Sequence, residues 1–508
     1  MTDGDQAIRD VIKGASIVSV GLFLELLIAF VAQVIAARYL SAADFGGLTA
    51  GSAILDIGAI IAGLGLASGL TRYLPRVDDA EKRMLANVAV GVTIVASLVL
   101  GVVVTLSAPF IAGEILGSQG VTPSVRVFGA VIPFATVLNV SVGGIRGQEL
   151  SFYRVVVKNI VHPVTRITLV VFAVVFGLGQ AGMAAAYAVP FVISGVIALV
   201  LFYRSLPGSG SSLDRALVSE VTRYSLPFTI SGVSGFVYRS IDIFLVLFFI
   251  GDTATGVYGV AYAAVSFMNM FSTAFNYLST PLASKLEDTG NVDEAMRMFR
   301  STGRWIVIAS VCALVPLAVF ATEFITVIYR AKYASGGPVL SILAAGYAIK
   351  NVLMIHNPIL EALGRSKVLS FNSALAAVSN LVLNVILIPI LGITGAAVAT
   401  VLSFLLRDGL AVVQVYRSLG RLPFSRLTAE PLLIAVPFLT TVFLIAPSVP
   451  TTILWLLAVS GVASVAYVSG VIGLFGFSPT EVMIIRSTLE RFDLELGPVD
   501  WLVRRLER

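Results

Sequence analysis

The sequence predicts an all-α integral membrane protein of about fourteen transmembrane helices. Composition, the length of its apolar segments and the asymmetry of its basic residues all point there. Of 508 residues, 57% are hydrophobic and only 12% are charged, with a mean hydropathy of +0.96. A soluble chain could not hide so much apolar surface, whereas lipid-facing helices have no need to.

Apolar segments run at 14–38, 46–71, 84–112, 124–145, 158–178, 181–203, 224–250, 255–282, 302–328, 338–361, 368–391, 393–416, 428–447 and 451–475. Crossing the hydrocarbon core takes about 20 helical residues, which each segment supplies. One set of connections is very short, such as Gln180-Ala181 and Gly392 to Thr394, and the other is longer and basic. With charges at span ends counted with the adjoining loop, the termini and the loops after even-numbered spans hold 26 of the 34 Lys and Arg residues. The opposite side holds 4, and 4 lie inside spans. The positive-inside rule makes the richer side cytoplasmic. A multi-pass protein of the cell membrane is therefore expected, with both termini inside. The isoelectric point near 9.2 follows from topology, so no nucleic-acid partner is needed. Met1 to Asp10 is polar and acidic, unlike the basic start of a cleaved signal peptide, so the first span is expected to be retained.

An internal repeat divides the spans. Leu178 to Ala186 and Leu391 to Ala399 both read LGxxGxAxA, 213 residues apart. Gly46 and Gly256 are 210 apart, and the turns at Gly147 and Gly364 are 217 apart. Six spans separate each pair, and an even number preserves orientation, so the repeat is parallel, about an axis along the membrane normal. The expected organisation is an N-lobe at 1–203, a C-lobe at 204–417, accessory spans 13 and 14 at 418–475 and a cytoplasmic amphipathic tail at 476–508. Two lobes that rock about a central cavity have the geometry of alternating access. In the tail, Ser478-Pro479-Thr480-Glu481 reads as a capping box, and Val482, Ile485, Leu489 and Phe492 recur at helical spacing. This helix either lies on the inner leaflet or packs on the bundle's own loops.

Ionisable groups inside spans are costly, so they face a cavity or a partner. Arg154, Lys158, His162 and Arg166 form a basic stripe at steps of four residues, climbing from the cytoplasmic end of span 5. Snorkelling explains the first two residues but not Arg166, and Pro163 is placed to kink the helix. Such a stripe suits a phosphate or diphosphate. Arg72, at the inner end of span 2, extends the same opening, while Arg76 reads as a topology charge. Span 7 carries Arg239 and Asp242 on one face, either as a self-neutralising pair or with Asp242 orienting a cavity-facing Arg239. Glu25 in span 1, Asp56 in span 2 and Asp242 are candidate coupling or orienting acids. Lys350 shares a face of span 10 with Asn357, a polar cavity wall that makes Lys350 a further candidate substrate contact, and His356 is given no role. Arg407 and Asp408 in span 12 are adjacent, are expected to point apart and read as structural.

Several functions are excluded or disfavoured. The phosphate-binding Gly-x-x-x-x-Gly-Lys loop is missing, so the chain does not hydrolyse ATP. No outer loop is long enough for the external domain of a glycan polymerase. Cys312 is the only cysteine, so there is no disulfide framework or cysteine metal site. No catalytic site, metal or cofactor is expected.

The segments Ala37 to Gly46, Tyr329 to Tyr333 with Pro338 to Leu343, Glu361 to Lys367 and Leu391 to Ala397 resemble, in order and spacing, the turns of one family. It is the polysaccharide, or lipid-linked oligosaccharide, flippases of the multidrug/oligosaccharidyl-lipid/polysaccharide exporter superfamily. The resemblance runs through spans 1 to 12. It implies fourteen spans in two six-helix lobes plus a trailing pair, a cationic lumen, and movement of polyprenyl phosphate- or diphosphate-linked sugars from the inner to the outer leaflet. The expected partners are that cargo, membrane lipids and glycosyltransferases of the same pathway. The acids Glu25, Asp56 and Asp242 depart from a purely cationic lumen, which keeps a coupling ion in play. The alternative is a cation-coupled exporter of small amphiphilic drugs, for which twelve spans and dominant acids are expected.

Overall fold

A computed structural model describes residues 24–208, 214–270, 292–354, 359–360, 365–420, 422, 424, 426–450, 452–477 and 481–482. Among these the chain is almost entirely helical. Eleven described helices are long and apolar enough to cross a bilayer. A twelfth crossing arises if Gly303–Val319 and Ala321–Tyr329, bent by 75°, form one broken span. The two other predicted spans, 1 and 8, extend beyond the described residues, which retain a helix over 24–39 and Asp252–Val265. Met1 to Asp10, His356, Asn357, Gly364 and nearly all of the C-terminal tail also lie outside them.

The outward faces suit lipid. Span 3 leaves Val95, Val99, Val103 and Leu106 exposed, and span 14 does the same with Leu454, Leu457, Val462 and Val465. In water such rows would be a liability. In a bilayer they are unremarkable, because the helices satisfy their own backbone groups.

Two compact units emerge. The first comprises 1–263 with 381–396, and the second 264–380 with 397–508. Span 7 and the described start of span 8 therefore pack with spans 1–6. The six-six-two division rests on sequence repetition and stays an expectation. Locally the repeat has a backbone counterpart, because Gly179 and Gly392 in the two LGxxGxAxA copies take φ of 62° and 63°. That left-handed geometry costs glycine nothing and other residues about 1 kcal/mol or more.

The core of the first unit joins spans 2, 3, 4, 6 and 7 through Leu70, Leu74, Leu85, Ile145, Phe202 and Val221. Span 2 is interrupted after Ala62, where Leu64 and Gly65 have φ of 48° and 67°. A short helix, Leu66–Tyr73, then continues to the inner end. Gly65 is required twice over: its φ favours glycine, and an added Cβ would run into the Ser225 carbonyl of span 7.

At the opposite end the repeat-related pair Gly46 and Gly256 meet. A Cβ on Gly256 would collide with the Ala42 carbonyl, and one on Gly46 with that of Asp252. Alanine ordinarily improves a helix by about 1 kcal/mol over glycine. Here two backbones would have to separate, and overpacking costs about 1–3 kcal/mol. Gly256→Ala is therefore expected to lower the thermal unfolding midpoint of the detergent-purified protein, against the helix-propensity trend. An unchanged or raised midpoint would contradict this close approach.

In the second unit, span 9 packs on spans 13 and 14 through Val307, Val311, Ala435, Tyr467 and Val471. Arg304, counted above as a cytoplasmic topology charge, is instead 2% exposed. It pairs with Glu481 at 2.8 Å and donates to the Gly476 carbonyl at 2.9 Å. Phe477 and Val482 pack with Ile472 beside them. The described start of the tail thus touches spans 9 and 14, and the rest of the tail helix lies outside the described residues.

Candidate functional site

The first unit holds two adjoining chambers. The larger encloses about 550 Å³ between spans 2, 4, 5 and 7. Arg72, Arg146, Arg154 and Lys158 line it with Asn139, Thr71 and Tyr224, and among the described residues its lining includes no carboxylate. The smaller encloses about 160 Å³ and is lined by Glu25, Asn139, Lys158, His162, Arg166 and Phe191, with Pro163 and two aliphatic residues. Lys158 and Asn139 belong to both chambers.

Span 5 builds the junction. Its helix, Ser151–Val175, contains a π turn at Val156–Val161 immediately before His162-Pro163. Pro163 has no N–H for the Asn159 carbonyl, and its ring crowds that turn, so the helix widens there. The widening matters for the basic stripe. In a straight α-helix, steps of four residues drift by about 40° each. A wider turn winds less per residue and takes back part of that drift. It also helps seat Asn159, which is buried and donates to Glu25 Oε2 at 2.5 Å.

Pro163→Ala is therefore expected to leave thermal stability equal or higher, since alanine is the better helix former. The relaxed register should rotate Lys158 out of the junction and lower transport about tenfold, comparable to losing one charge-assisted contact. Transport at the parent level, measured in proteoliposomes, would contradict this role for the π turn.

The other expected site residues fall into separate settings. Arg166 lies 2.6 Å from His162 Nε2 and over the Tyr187 ring at 5.3 Å. A guanidinium only donates, so His162 Nε2 accepts and the imidazole proton sits on Nδ1. Arg72 stacks on Tyr224 at 4.5 Å and donates to its hydroxyl at 3.4 Å. Beside it, Tyr73 donates to Glu220 at 2.9 Å. Partial desolvation and that bond push the Tyr73 phenol up, so it keeps its proton at neutral pH.

Asp56 is exposed in mid-helix and feels the charges of Arg166, Arg239 and Lys158. Arg239 is also exposed, and its carbonyl accepts from Tyr262 at 2.8 Å. Neither lines a chamber. Asp242 has a partner other than the expected Arg239: it is 2% exposed and accepts the Tyr258 hydroxyl.

Lys350 is in the second unit. Tyr347 and Phe404 flank its ammonium at 4.8 and 5.0 Å, and it donates to Asn269 at 3.3 Å. It is tied down within that unit and lines neither chamber. Arg407 and Asp408 pair at 2.7 Å, which corrects the expectation that adjacent side chains point apart. A long guanidinium can fold back onto its neighbour. Sequence reasoning left Arg146 among the loop charges. Its signal was its place at the end of span 4, level with Arg154. Among the described residues no group of acids, histidines or cysteine is arranged to hold a metal.

The profile of a family described as polysaccharide biosynthesis proteins matches residues 11–287, more than half of the chain. The chain belongs to the polysaccharide biosynthesis protein family. Among relatives of this chain, AglR of Haloferax volcanii, described as a probable flippase, is 25% identical over 389 residues, covering 74% of this chain and 78% of that one. Agl15 of the same organism, described as a probable low-salt glycan biosynthesis flippase, is 27% identical over 181 residues. That match spans 36% of this chain and 38% of Agl15. Among solved structures, the lipid II flippase MurJ in an inward closed conformation matches with a TM-score of 0.70 at 12% identity, over 89% of this chain and 98% of that one. An inward-facing MATE-family transporter of the MOP superfamily matches with a TM-score of 0.64 at 16% identity, over 78% and 94%. At such identities these likenesses establish the fold alone: a multi-pass helical bundle of the kind these two structures share.

Proposed function

We propose that this protein is a flippase for a glycan carried on a polyprenyl phosphate or diphosphate, moving it from the cytoplasmic to the outer leaflet by alternating access. One observation carries the proposal: a chamber between the helices whose described lining brings together four cations and no carboxylate. Four basic side chains converging on one cavity favour an anionic ligand there. Arginine and lysine suit phosphate, the arginines through paired donors and the lysine as a point charge.

The flippase descriptions of AglR and Agl15 agree with this reading. The glycan headgroup enters at the end bearing Arg72 and Arg146, and the lipid tail stays in the bilayer. Arg239 and Asp56, outside the chambers, are assigned to a later point on the path. The termini face the cytoplasm of the cell membrane, where glycosyltransferases of the pathway supply the cargo. A cation-coupled drug exporter fits less well, because a cationic drug would be repelled from the larger chamber.

The binding step is testable with purified protein in detergent. A short-chain polyprenyl phosphate is expected to bind at least about tenfold more tightly than the matching uncharged polyprenol, as one charge-assisted contact suffices for that ratio. The preference should shrink as salt rises. Equal affinity for phosphate and alcohol would overturn the proposal.

A further inference from the structure

The two chambers differ in chemistry. The larger offers a phosphate basic side chains. The smaller sets the Glu25 carboxylate against Lys158 and Arg166 and adds an amide and an aromatic ring, a mixed lining that suits more than a phosphate.

Glu25 is fixed rather than loose, since Asn159 holds one of its oxygens. The other oxygen takes no hydrogen bond from a described residue, although Glu25 lines the chamber. A carboxylate in that state accepts hydroxyl groups. Asn139, which lines both chambers, carries an amide that donates and accepts. The Phe191 ring, met edge-on by His162 at 4.5 Å, adds an apolar patch suited to the C–H face of a sugar ring. His162 is neutral, because its Nε2 accepts from Arg166. Arg166 in turn offsets the charge of Glu25, whose surroundings include Lys158 and Arg154.

We propose that the smaller chamber is a sugar subsite. It takes the hydroxyl-bearing ring attached to the phosphate seated next door, with Lys158 at the phosphate–sugar link. The inference rests on the phosphate reading above and adds to it a recognised chemical class: a sugar 1-phosphate with an uncharged ring, distinguished from phosphate alone. A ring carrying its own carboxylate would meet Glu25 and be disfavoured.

The test uses the full chain purified in detergent, with affinities taken from ligand-induced shifts in thermal unfolding. The probes are inorganic phosphate and glucose 1-phosphate. The parent protein is expected to bind glucose 1-phosphate about tenfold more tightly than phosphate, the ratio expected of one or two hydroxyl contacts to a charged group. Glu25→Ala should bring that ratio close to one while leaving phosphate affinity equal or higher, since a repelling charge is gone. Glu25→Gln, which preserves shape if alanine fails to fold, should cut the ratio severalfold. A ratio near one in the parent, or an undiminished ratio in both variants, overturns the subsite. Glu25-dependent binding of glucose 1-phosphate without phosphate binding would keep the subsite and overturn the phosphate chamber. Binding of neither probe overturns both.

Discussion

Arg304→Ala is expected to destabilise the protein by about 3–5 kcal/mol, the usual cost of removing one partner from a buried ion pair. Arg304 and Glu481 are each 2% exposed and 2.8 Å apart, in a setting where Arg304 also holds the Gly476 carbonyl. Alanine leaves a carboxylate buried without its counter-charge and the end of span 14 without its tether. The same loss is expected from Glu481→Ala, which strands a guanidinium instead. A double mutant cycle is the informative measurement. If the pair acts as a unit, the double variant should lose less than the sum of the singles, by about 1–3 kcal/mol. Strict additivity would mean that the two residues act independently. Replacing both with hydrophobic residues of similar volume is expected to recover much of the stability.

Lys158→Glu is expected to have the largest effect on transport, a loss of about 100-fold or more. Reversal removes a charge-assisted contact of about 1.5–3 kcal/mol and adds a repulsion at the junction of the two chambers. The helix itself should tolerate the change, since glutamate and lysine have similar helix propensities and the head group lies at a cavity. Protein abundance should therefore hold while flipping fails. Loss of abundance together with transport would point to a structural role instead. Transport at the parent level would remove Lys158 from the site.

Much of this was legible in the sequence. Membrane spans follow from long apolar runs, because burial in lipid leaves its mark on every residue of a segment. The basic stripe of span 5 was legible because four-residue spacing is a local property of a helix, and all four of its members line the two chambers. The π turn was half legible, in Pro163. What escaped were pairings between distant residues. Arg304 reads as one more basic residue near a cytoplasmic loop, and nothing in its neighbourhood announces Glu481, 177 positions away. Arg146 was hidden for the same reason: positive charge at a span end serves topology and anion binding alike, and only packing distinguishes the two. Lys350 shows the converse. Its place in an apolar span suggested a cargo contact, but Tyr347 and Phe404 occupy it. Asp242 was read against Arg239, three residues away, whereas its hydroxyl partner Tyr258 comes from span 8.

The most direct test of the central claim is transbilayer movement of a fluorescent polyprenyl phosphate-linked sugar in proteoliposomes, followed by an external quencher. The parent protein should render the inner-leaflet label accessible, the Lys158→Glu protein should leave it at the level of protein-free vesicles, and the same sugar on an uncharged lipid should not move. No movement beyond protein-free vesicles with the parent protein, or equal movement of the uncharged lipid, would contradict the account.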